Sequence, residues 1–215
     1  MSLYRLDASI RAEGSHSREI ADIVEQEWRV AHPAAPVVRR DLGQDPIPAT
    51  AWANAVAGSW AAPEDRSPEQ AEAVALAGRE VDPVVGADLL LFAVPLYNYG
   101  VSQHFKAWVD LAITDPRLAP SGEPAVAGKP AVLVVVRGGG YGPGTPREGW
   151  DHATGWIRRI LTDVWKLDLR VVESELTLAG VNPALAEFID LAAESRKSAE
   201  ETARQHAQAF AGATV

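Results

Sequence analysis

Short apolar runs alternate along the chain with longer stretches in which apolar residues recur every three or four positions. Residues 89–94 are six consecutive apolar residues, which predicts a strand buried on both faces, as in a parallel sheet. We expect Pro95 to stop the pairing of this strand. The apolar face of residues 102–113 then predicts a helix, for which Ser102 is the expected N-cap.

The same reasoning predicts four further strands and four further helices. The strands cover residues 3–7, 36–41, 131–136 and 167–173. The helices begin at Ser15 or Ser17, at the capping box Ser67–Gln70, near residue 151 and after Pro183. The region between the second strand and Ser67, which includes Trp52 and Trp60, is predicted to be irregular. Pro83 is expected to interrupt or end the helix that begins at Ser67.

Five strands that alternate with five helices predict a single α/β domain over residues 1–215. The simplest arrangement is a doubly wound five-stranded parallel sheet in the flavodoxin-like order 2-1-3-4-5, with helices on both faces. In that order the first, third and fourth strands are neighbours. The loops that follow them, residues 8–17, 95–102 and 137–149, therefore emerge side by side at the carboxyl edge of the sheet. A ligand is expected where the first and third strands part.

The composition narrows the choice of partners and compartment. The chain carries 29 acidic and 20 basic residues, and its formal charge of -9 repels phosphate backbones and anionic lipid surfaces. Nucleic acid and membrane partners are therefore not expected. The lack of cysteine excludes disulfides and thiolate chemistry and fits a reducing compartment, and no apolar run has the length of a signal or membrane segment, so we expect a cytoplasmic protein. The five histidines have no metal-ligand spacing, and no metal site is predicted.

The first of the three loops offers an anion site at the start of a helix. Unpaired amide N–H groups and the positive end of the helix dipole favour an anion there, and hydroxyl groups add hydrogen bonds. The residues that we predict to bind a phosphate are Ser9, Ser15, His16 and Ser17. The alternative is that one serine caps the helix while the others are solvated. Arg11 and Arg18 lie nearby in sequence and are expected to be exposed to solvent.

The other two loops offer surfaces for a flat group. Tyr97, Asn98 and Tyr99 combine aromatic faces with polar groups and suit a planar heterocycle, unless the tyrosines only plug the sheet edge. The glycines of residues 138–144 match neither the dinucleotide fingerprint nor a phosphate-binding loop. They indicate a lid-like turn whose backbone approaches a ligand and whose Tyr141 lies over it. The alternative is a mobile surface loop.

Three segments together resemble the FMN-dependent NADH:azoreductase family, whose members are also quinone reductases. These segments are residues 9–17, the Pro-Leu-Tyr-Asn-Tyr motif at residues 95–99, and the Arg-Gly-Gly motif at residues 137–139. The likeness spans nearly the whole chain, and the motif at residues 95–99 is its most specific part. It implies that the phosphate and ribityl end of FMN binds Ser9, Ser15, His16 and Ser17. It implies that the flavin ring lies against Pro95, Leu96, Tyr97, Asn98, Tyr99, Val136, Arg137, Gly138 and Gly139.

The resemblance also implies a reaction and an assembly. NADH or NADPH would give a hydride to flavin N5, and a quinone, azo or nitroaromatic acceptor would then take its place in the same slot, in a ping-pong mechanism. No acid or base side chain is required, and the supporting residues are Asn98, Tyr99, Gly138 and Gly139, with Tyr99 and Tyr141 against the substrate. The family expectation is a homodimer with sites at the subunit boundary, and we expect the helix that carries Trp108 to form part of that contact.

Among three departures of this chain from the family pattern, which include residues 162–166, two leave other functions open. Val136 stands where relatives usually have serine, and residues 115–128 contain no aromatic residue to frame a substrate. One alternative function is a one-electron carrier of the flavodoxin type, for which the acidic charge would suit a basic partner. The other is a flavin-binding sensor or a pathway-specific reductase with a different acceptor.

Overall fold

Five parallel strands form the centre of the molecule in the computed structural model, which describes residues 1–211. Their order across the sheet is β2-β1-β3-β5-β6, and a short strand, β4, pairs antiparallel with the end of β3. The strands are β1 (Leu3–Asp7), β2 (Val37–Asp41), β3 (Leu89–Tyr97), β4 (Gly100–Val101), β5 (Pro130–Val136) and β6 (Asp168–Ser174). The parallel strands confirm the predicted order 2-1-3-4-5, to which the structure adds β4.

Helices cover both faces of this sheet. They are α1 (His16–Ala31), α2 (Ala51–Trp60), α3 (Pro68–Gly86), α4 (Gln103–Ala112), α5 (Thr154–Arg158) and α6 (Ile189–Ala211). Helices α1 and α6 pack on one face, and α2 to α5 contribute the core of the other. The helix predicted to begin near residue 151 begins at Thr154, three residues later than predicted. A π-helical turn, Arg159–Val164, continues α5. Within residues 1–211, none of the helices combines the length and the apolar character needed to cross a bilayer.

Strand β3 is buried on both faces, as its uninterrupted apolar pattern predicts. Every residue of β1 and the first eight residues of β3 are buried. Trp108 of α4 is also fully buried; it packs against Phe105 and Trp165 and donates its Nε1–H to Glu80 at 3.0 Å. The Trp108 side chain therefore belongs to the core of a single chain and is not available for a contact with a second subunit.

The prediction that the region around Trp52 and Trp60 is irregular is wrong, because this region forms α2. Alanine recurs along the segment and favours a helix. The helix packs against α3 through small residues, and a Cβ added at Gly58 would lie 2.9 Å from Cγ2 of Val74. The contact therefore depends on the absence of a side chain. Both tryptophans lie on the exposed side of α2.

Two prolines lie inside regular elements where the pattern predicts a break. Pro95 pairs with Val136 and β3 continues to Tyr97, so the prediction that Pro95 stops the pairing is wrong. Pro83 lies inside α3, which continues to Gly86. A proline removes one N–H donor but keeps its carbonyl group. Because both prolines lie near the end of their element, few hydrogen bonds are lost.

Candidate functional site

The three predicted ligand loops meet around one cavity of about 130 Å³ at the carboxyl edge of β1, β3 and β5. Nine of the predicted site residues line it: Ser9, Ser15, His16, Ser17, Pro95, Leu96, Tyr97, Val136 and Gly138. The lining also includes Arg11, Gly14, Thr177 and Leu178. The remaining predicted residues lie outside this lining, on the adjoining loops; they are Asn98, Tyr99, Arg137, Gly139 and Tyr141.

The start of α1 forms one end of the cavity. Ser15 is the N-cap by position, with φ of -92°, but its side chain does not cap the helix. Its hydroxyl lies 3.3 Å from the hydroxyl of Ser17, and both residues are buried. The alternative in which one serine caps α1 is therefore wrong. The first turn keeps its N–H groups free of side-chain caps, which is the arrangement that binds anions.

Arg18 holds the loop of residues 8–17 in place through hydrogen bonds. Its guanidinium forms two hydrogen bonds of 2.7 Å with Asp41 of β2 and donates to the carbonyl oxygens of Ser9 at 3.0 Å and Arg11 at 2.9 Å. The expectation that Arg18 is exposed is wrong, because these four bonds hold it partly buried, whereas Arg11 is exposed as predicted. Arg18 therefore sets the path of the loop that carries Ser9.

Tyr97 joins the first loop to the end of β3. Its hydroxyl accepts a hydrogen bond of 3.2 Å from the N–H of Ile10 and lies 3.3 Å from the hydroxyl of Ser9. Ser102 adds a second link, because its hydroxyl donates to the carbonyl of Ala8 at 3.1 Å. Ser102 lies at the N-cap position of α4, as predicted, but its side chain does not cap the helix. Both contacts fix the two loops side by side.

A tight hairpin connects β3 to β4 and presents the aromatic turn, residues 97–100. Its two central residues, Asn98 and Tyr99, have φ of 48° and 66°. Positive φ at both positions defines a type I′ turn, which usually takes asparagine and then glycine. Asn98 suits this conformation, but a bulky aromatic residue such as Tyr99 is strained in it. Such strain is typical of positions where the side chain has a function.

The glycine turn, residues 137–140, follows β5. The carbonyl groups of residues 137, 138 and 139 accept the N–H groups of Thr177, Leu178 and Leu176. Within the part of the chain that the structure describes, the N–H groups of residues 138–140 form no hydrogen bond. A Cβ at Gly138 would lie 2.7 Å from Cδ1 of Leu178, so a larger residue there would require the Leu178 side chain to move. The turn therefore holds backbone donors that have no partner within the described residues, and Gly138 carries its donor at the cavity wall.

The lid loop, residues 141–152, folds over the aromatic turn. The ring of Tyr141 lies 6.2 Å from the ring of Tyr99, and the ring of Trp150 lies 5.3 Å from it, both edge to face. The guanidinium of Arg147 lies 5.7 Å from the centre of the same ring. The N–H of His152 donates to the carbonyl of Tyr99 at 2.9 Å. Arg147 and Trp150 belong to no sequence motif, so their position against Tyr99 is visible only in the tertiary structure.

Arg137 holds the base of the lid loop. Its guanidinium pairs with Asp151 at 2.7 Å and with Glu173 and Glu175 of the β6 end at 2.8 and 2.9 Å. It also donates to the hydroxyl of Thr154 at 3.0 Å. Burial pushes the pKa of Asp151 up, but the hydrogen bonds from Thr154 and the charge of Arg137 outweigh burial, so the pKa lies below its ordinary value. The Arg137 side chain thus joins the lid loop to β6 and is not part of the cavity lining.

The uncapped start of α1 can accept an anion at one end of this arrangement, and residues 97–100 offer a flat, aromatic surface at the other. FMN has a phosphate, a ribityl chain and a planar ring in the same order. The cavity of about 130 Å³ is smaller than the roughly 300–1,000 Å³ of pockets that enclose a whole ligand. It therefore fits the phosphate end, and the ring would lie on the open surface between the aromatic turn and the glycine turn.

Comparison with known proteins identifies a family over nearly the whole chain. A protein-family model with the description flavodoxin-like fold matches residues 1–209. The FMN-dependent NADH:quinone oxidoreductase of Frankia casuarinae is 44% identical over 208 residues, which cover 95% of this chain and 98% of the relative. The enzyme of the same description from Streptomyces avermitilis is 35% identical over 211 residues, 98% of this chain and 97% of its own.

Solved structures agree with the fold. Azoreductase AzrA superimposes with a TM-score of 0.79 at 22% identity and covers 97% of this chain and 100% of its own. An FMN-dependent NADH-azoreductase from Bacillus anthracis, solved in complex with FMN, superimposes with a TM-score of 0.73 at 13% identity and covers 99% of this chain and 100% of its own. The matches to the family and to its full-length relatives show that the chain belongs to the flavodoxin-like family that includes the FMN-dependent NADH:quinone oxidoreductases.

Proposed function

We propose that this protein is a cytoplasmic FMN-dependent oxidoreductase in which the bound flavin takes a hydride from NADH or NADPH at N5 and passes it to a quinone, azo or nitroaromatic acceptor. The observation that carries this proposal is the continuity of the site, in which the loop that leads into the uncapped start of α1 is joined to the strained aromatic turn by the hydrogen bonds of Tyr97 with Ser9 and Ile10. The 44% identity with a full-length NADH:quinone oxidoreductase supports it. The lack of cysteine fits a reducing compartment.

The residues at the start of α1 bind the phosphate in this proposal. The hydroxyls of Ser9, Ser15 and Ser17 donate hydrogen bonds to its oxygens, together with the uncapped N–H groups of the first helical turn. Each hydrogen bond to a charged group contributes about 1.5–3 kcal/mol. The helix dipole adds only about 0.3–1 kcal/mol. The hydroxyl and amide donors therefore dominate the affinity for this end of the cofactor.

The backbone donors of the glycine turn stabilise the other end. Negative charge develops at the N1 and C2=O side of a flavin on reduction. The N–H groups of residues 138–140 have no partner among the described residues, and Gly138 lines the cavity, so its N–H is the donor that we assign to this charge. Val136 lines the cavity with an apolar side chain, so backbone donors rather than a hydroxyl serve this position. Tyr99 and Tyr141 orient the acceptor against the ring and exclude water from the slot. No side chain acts as an acid or a base.

A spectroscopic experiment tests the proposed function. The purified protein, supplied with FMN, is expected to show the visible bands of oxidised flavin, which bleach on anaerobic addition of NADH or NADPH and return with a soluble quinone. Steady oxidation of the nicotinamide with that quinone, without a separate reductase, distinguishes an enzyme from a one-electron carrier. Protein that binds flavin but turns over neither substrate supports the sensor alternative. Protein that takes up no FMN contradicts the proposal.

The exposed face of α2 supports the proposal of a homodimer. Trp60 is 87% exposed and Trp52 is 52% exposed, although both are large apolar side chains on a helix with few polar residues. Large exposed apolar residues close together mark interaction surfaces, and a second copy of this chain is the occupant that we propose. The mass in solution is expected to equal two chains. Trp60→Glu is expected to shift it towards one chain, and a mass of one chain for the unaltered protein at micromolar concentration contradicts the proposal.

A further inference from the structure

A hydrogen bond joins the first residue of α1 to a helix that is distant in sequence. Nη1 of Arg196 in α6 lies 3.0 Å from Nδ1 of His16. A guanidinium has no acceptor and stays protonated, so Arg196 is the donor of this bond and Nδ1 is its acceptor. The single proton of a neutral imidazole must then lie on Nε2. The contact therefore selects one of the two neutral tautomers of His16.

Two carboxylates hold Arg196 in place. Its Nη1 also donates to Glu19 at 2.8 Å, and its Nε donates to Glu200 at 2.7 Å. These bonds fix the guanidinium and balance its charge. Among the described residues that line the cavity, His16 is present and Arg196 is absent. The influence of Arg196 on the cavity is therefore exerted through the imidazole.

We propose that Arg196 is a positioning residue for the phosphate of the cofactor: it fixes the orientation and tautomer of His16, so that His16 presents Nε2–H as a hydrogen-bond donor next to Ser15 and Ser17. This inference rests on the proposed function, because it assigns the cavity to a phosphate. It goes further in giving a role to a residue that contacts neither the phosphate nor the ring.

The charges around His16 keep the imidazole neutral, which is the state in which the tautomer matters. Burial lowers the pKa of His16 below its ordinary value; the carboxylate of Glu19 opposes this, and the guanidiniums of Arg196 and Arg11 add to it. An imidazolium would carry a proton on both nitrogens. A proton on Nδ1 would then face the donor of Arg196, so the contact is compatible only with the neutral ring.

The tautomer can be measured without any cofactor. In the ¹⁵N NMR spectrum of the flavin-free protein, Nδ1 of His16 is expected at the shift of an unprotonated nitrogen. In Arg196→Leu it is expected to move towards the average of both tautomers, and the pKa of His16 is expected to rise. Arg204→Leu is the matched control, because Arg204 lies on the same helix and contacts the same Glu200 at 3.8 Å. A protonated Nδ1 in the unaltered protein, or equal changes in both variants, overturns the proposal.

The effect on the phosphate is measured by comparing FMN with riboflavin, which lacks it. Arg196→Leu is expected to weaken FMN binding by about 2- to 10-fold and to leave riboflavin binding unchanged. This is less than the loss of a whole hydrogen bond to a charged group, because the variant only frees the orientation and tautomer of His16. Arg196→Lys, which keeps a donor and the charge, is expected to recover part of the loss. Thermal unfolding of each variant confirms that the chain is folded.

A double-mutant cycle shows whether Arg196 acts through His16. In a His16→Ala background, Arg196→Leu is expected to cause no further loss of FMN affinity. Additive losses, or equal weakening of FMN and riboflavin, overturn the role of Arg196 while leaving the proposed function intact. Failure of the unaltered protein to bind either flavin instead refutes the proposed function itself.

Discussion

Tyr99 provides the sharpest test of the aromatic turn, because its backbone conformation and its side chain favour different residues. Its φ of 66° lies in the left-handed region, which costs a residue other than glycine about 1–2 kcal/mol. Glycine adopts this conformation without that strain. Tyr99→Gly and Tyr99→Ala therefore remove the same ring but differ in the strain that they leave behind.

The expected stabilities follow from the contacts of the ring. Tyr99 makes edge-to-face contacts with Tyr141 and Trp150, and each such pair contributes about 0.5–1.5 kcal/mol. Because Tyr99 is 37% exposed, we take the lower part of that range, which gives a loss of about 1–2 kcal/mol. Tyr99→Ala keeps the strain and shows this whole loss. Tyr99→Gly relieves the strain, and after the entropy that glycine loses on folding it is expected to be about 1 kcal/mol more stable than Tyr99→Ala.

Urea unfolding gives the two free energies, and the affinity for FMN with kcat/KM for a quinone gives the function of the ring. Both variants are expected to lose flavin affinity and turnover to the same extent, although they differ in stability. An alanine variant that is at least as stable as the glycine variant refutes the strained turn. Flavin affinity and turnover that are unchanged in both variants refute the role of the Tyr99 ring.

Three further predictions concern the loops around the site. Gly43→Ala would place a Cβ 2.0 Å from the carbonyl oxygen of Ser9. It is expected to lower the free energy of unfolding by about 1–3 kcal/mol and to weaken FMN binding. The control is Gly78→Ala, in an open helical position, which is expected to stabilise the protein by about 0.5–1 kcal/mol. The pKa of Asp151 lies below its ordinary value of 3.8, so its ionised carboxylate stabilises the fold fully above pH 3.8, and this stabilisation is lost as the pH falls through the lower folded value. Near-UV circular dichroism should show this acid step, and Asp151→Asn should abolish it. Arg147→Gln is expected to lower kcat/KM for a sulfonated quinone by about 2- to 5-fold relative to an uncharged quinone. Salt at about 0.5 M should remove this difference, and an equal effect of the substitution on both quinones would contradict it.

The fold was accessible from the sequence because several local signals agree. The uninterrupted apolar run of β3 identified a strand buried on both faces, and the capping box at Ser67 forms as predicted, with hydrogen bonds of 3.0 and 3.3 Å to and from Gln70. Alternation of strands and helices, with the right-handed crossover rule, then left one simple order for the sheet. Helix α2 was missed because it has no capping box and its small residues show no strong apolar stripe.

The site could be located but not completed from the sequence. The topology alone predicted that three loops meet at one edge of the sheet. The contacts of Leu178, Trp150 and Arg196 with these loops depend on how distant segments pack, and no spacing in the sequence encodes them. The hairpin at Asn98 was missed for a different reason, since its usual signal is asparagine followed by glycine and this chain has tyrosine in the second position.

Several polar groups near the site do not form the bonds that are usual for their local structure. Ser102 and Ser15 lie at N-cap positions, but the Ser102 hydroxyl donates to Ala8 of the first loop and the Ser15 hydroxyl lies against Ser17 beside the cavity. Tyr99 occupies a position that turn chemistry assigns to glycine, and the glycine turn leaves its N–H groups unpaired within the described residues. Folding stability alone does not favour the uncapped start of α1, the strained Tyr99 or the unpaired N–H groups, whereas a ligand with an anionic end and a flat end favours all three. The departures from local preference therefore point to the same ligand as the family membership, on independent grounds.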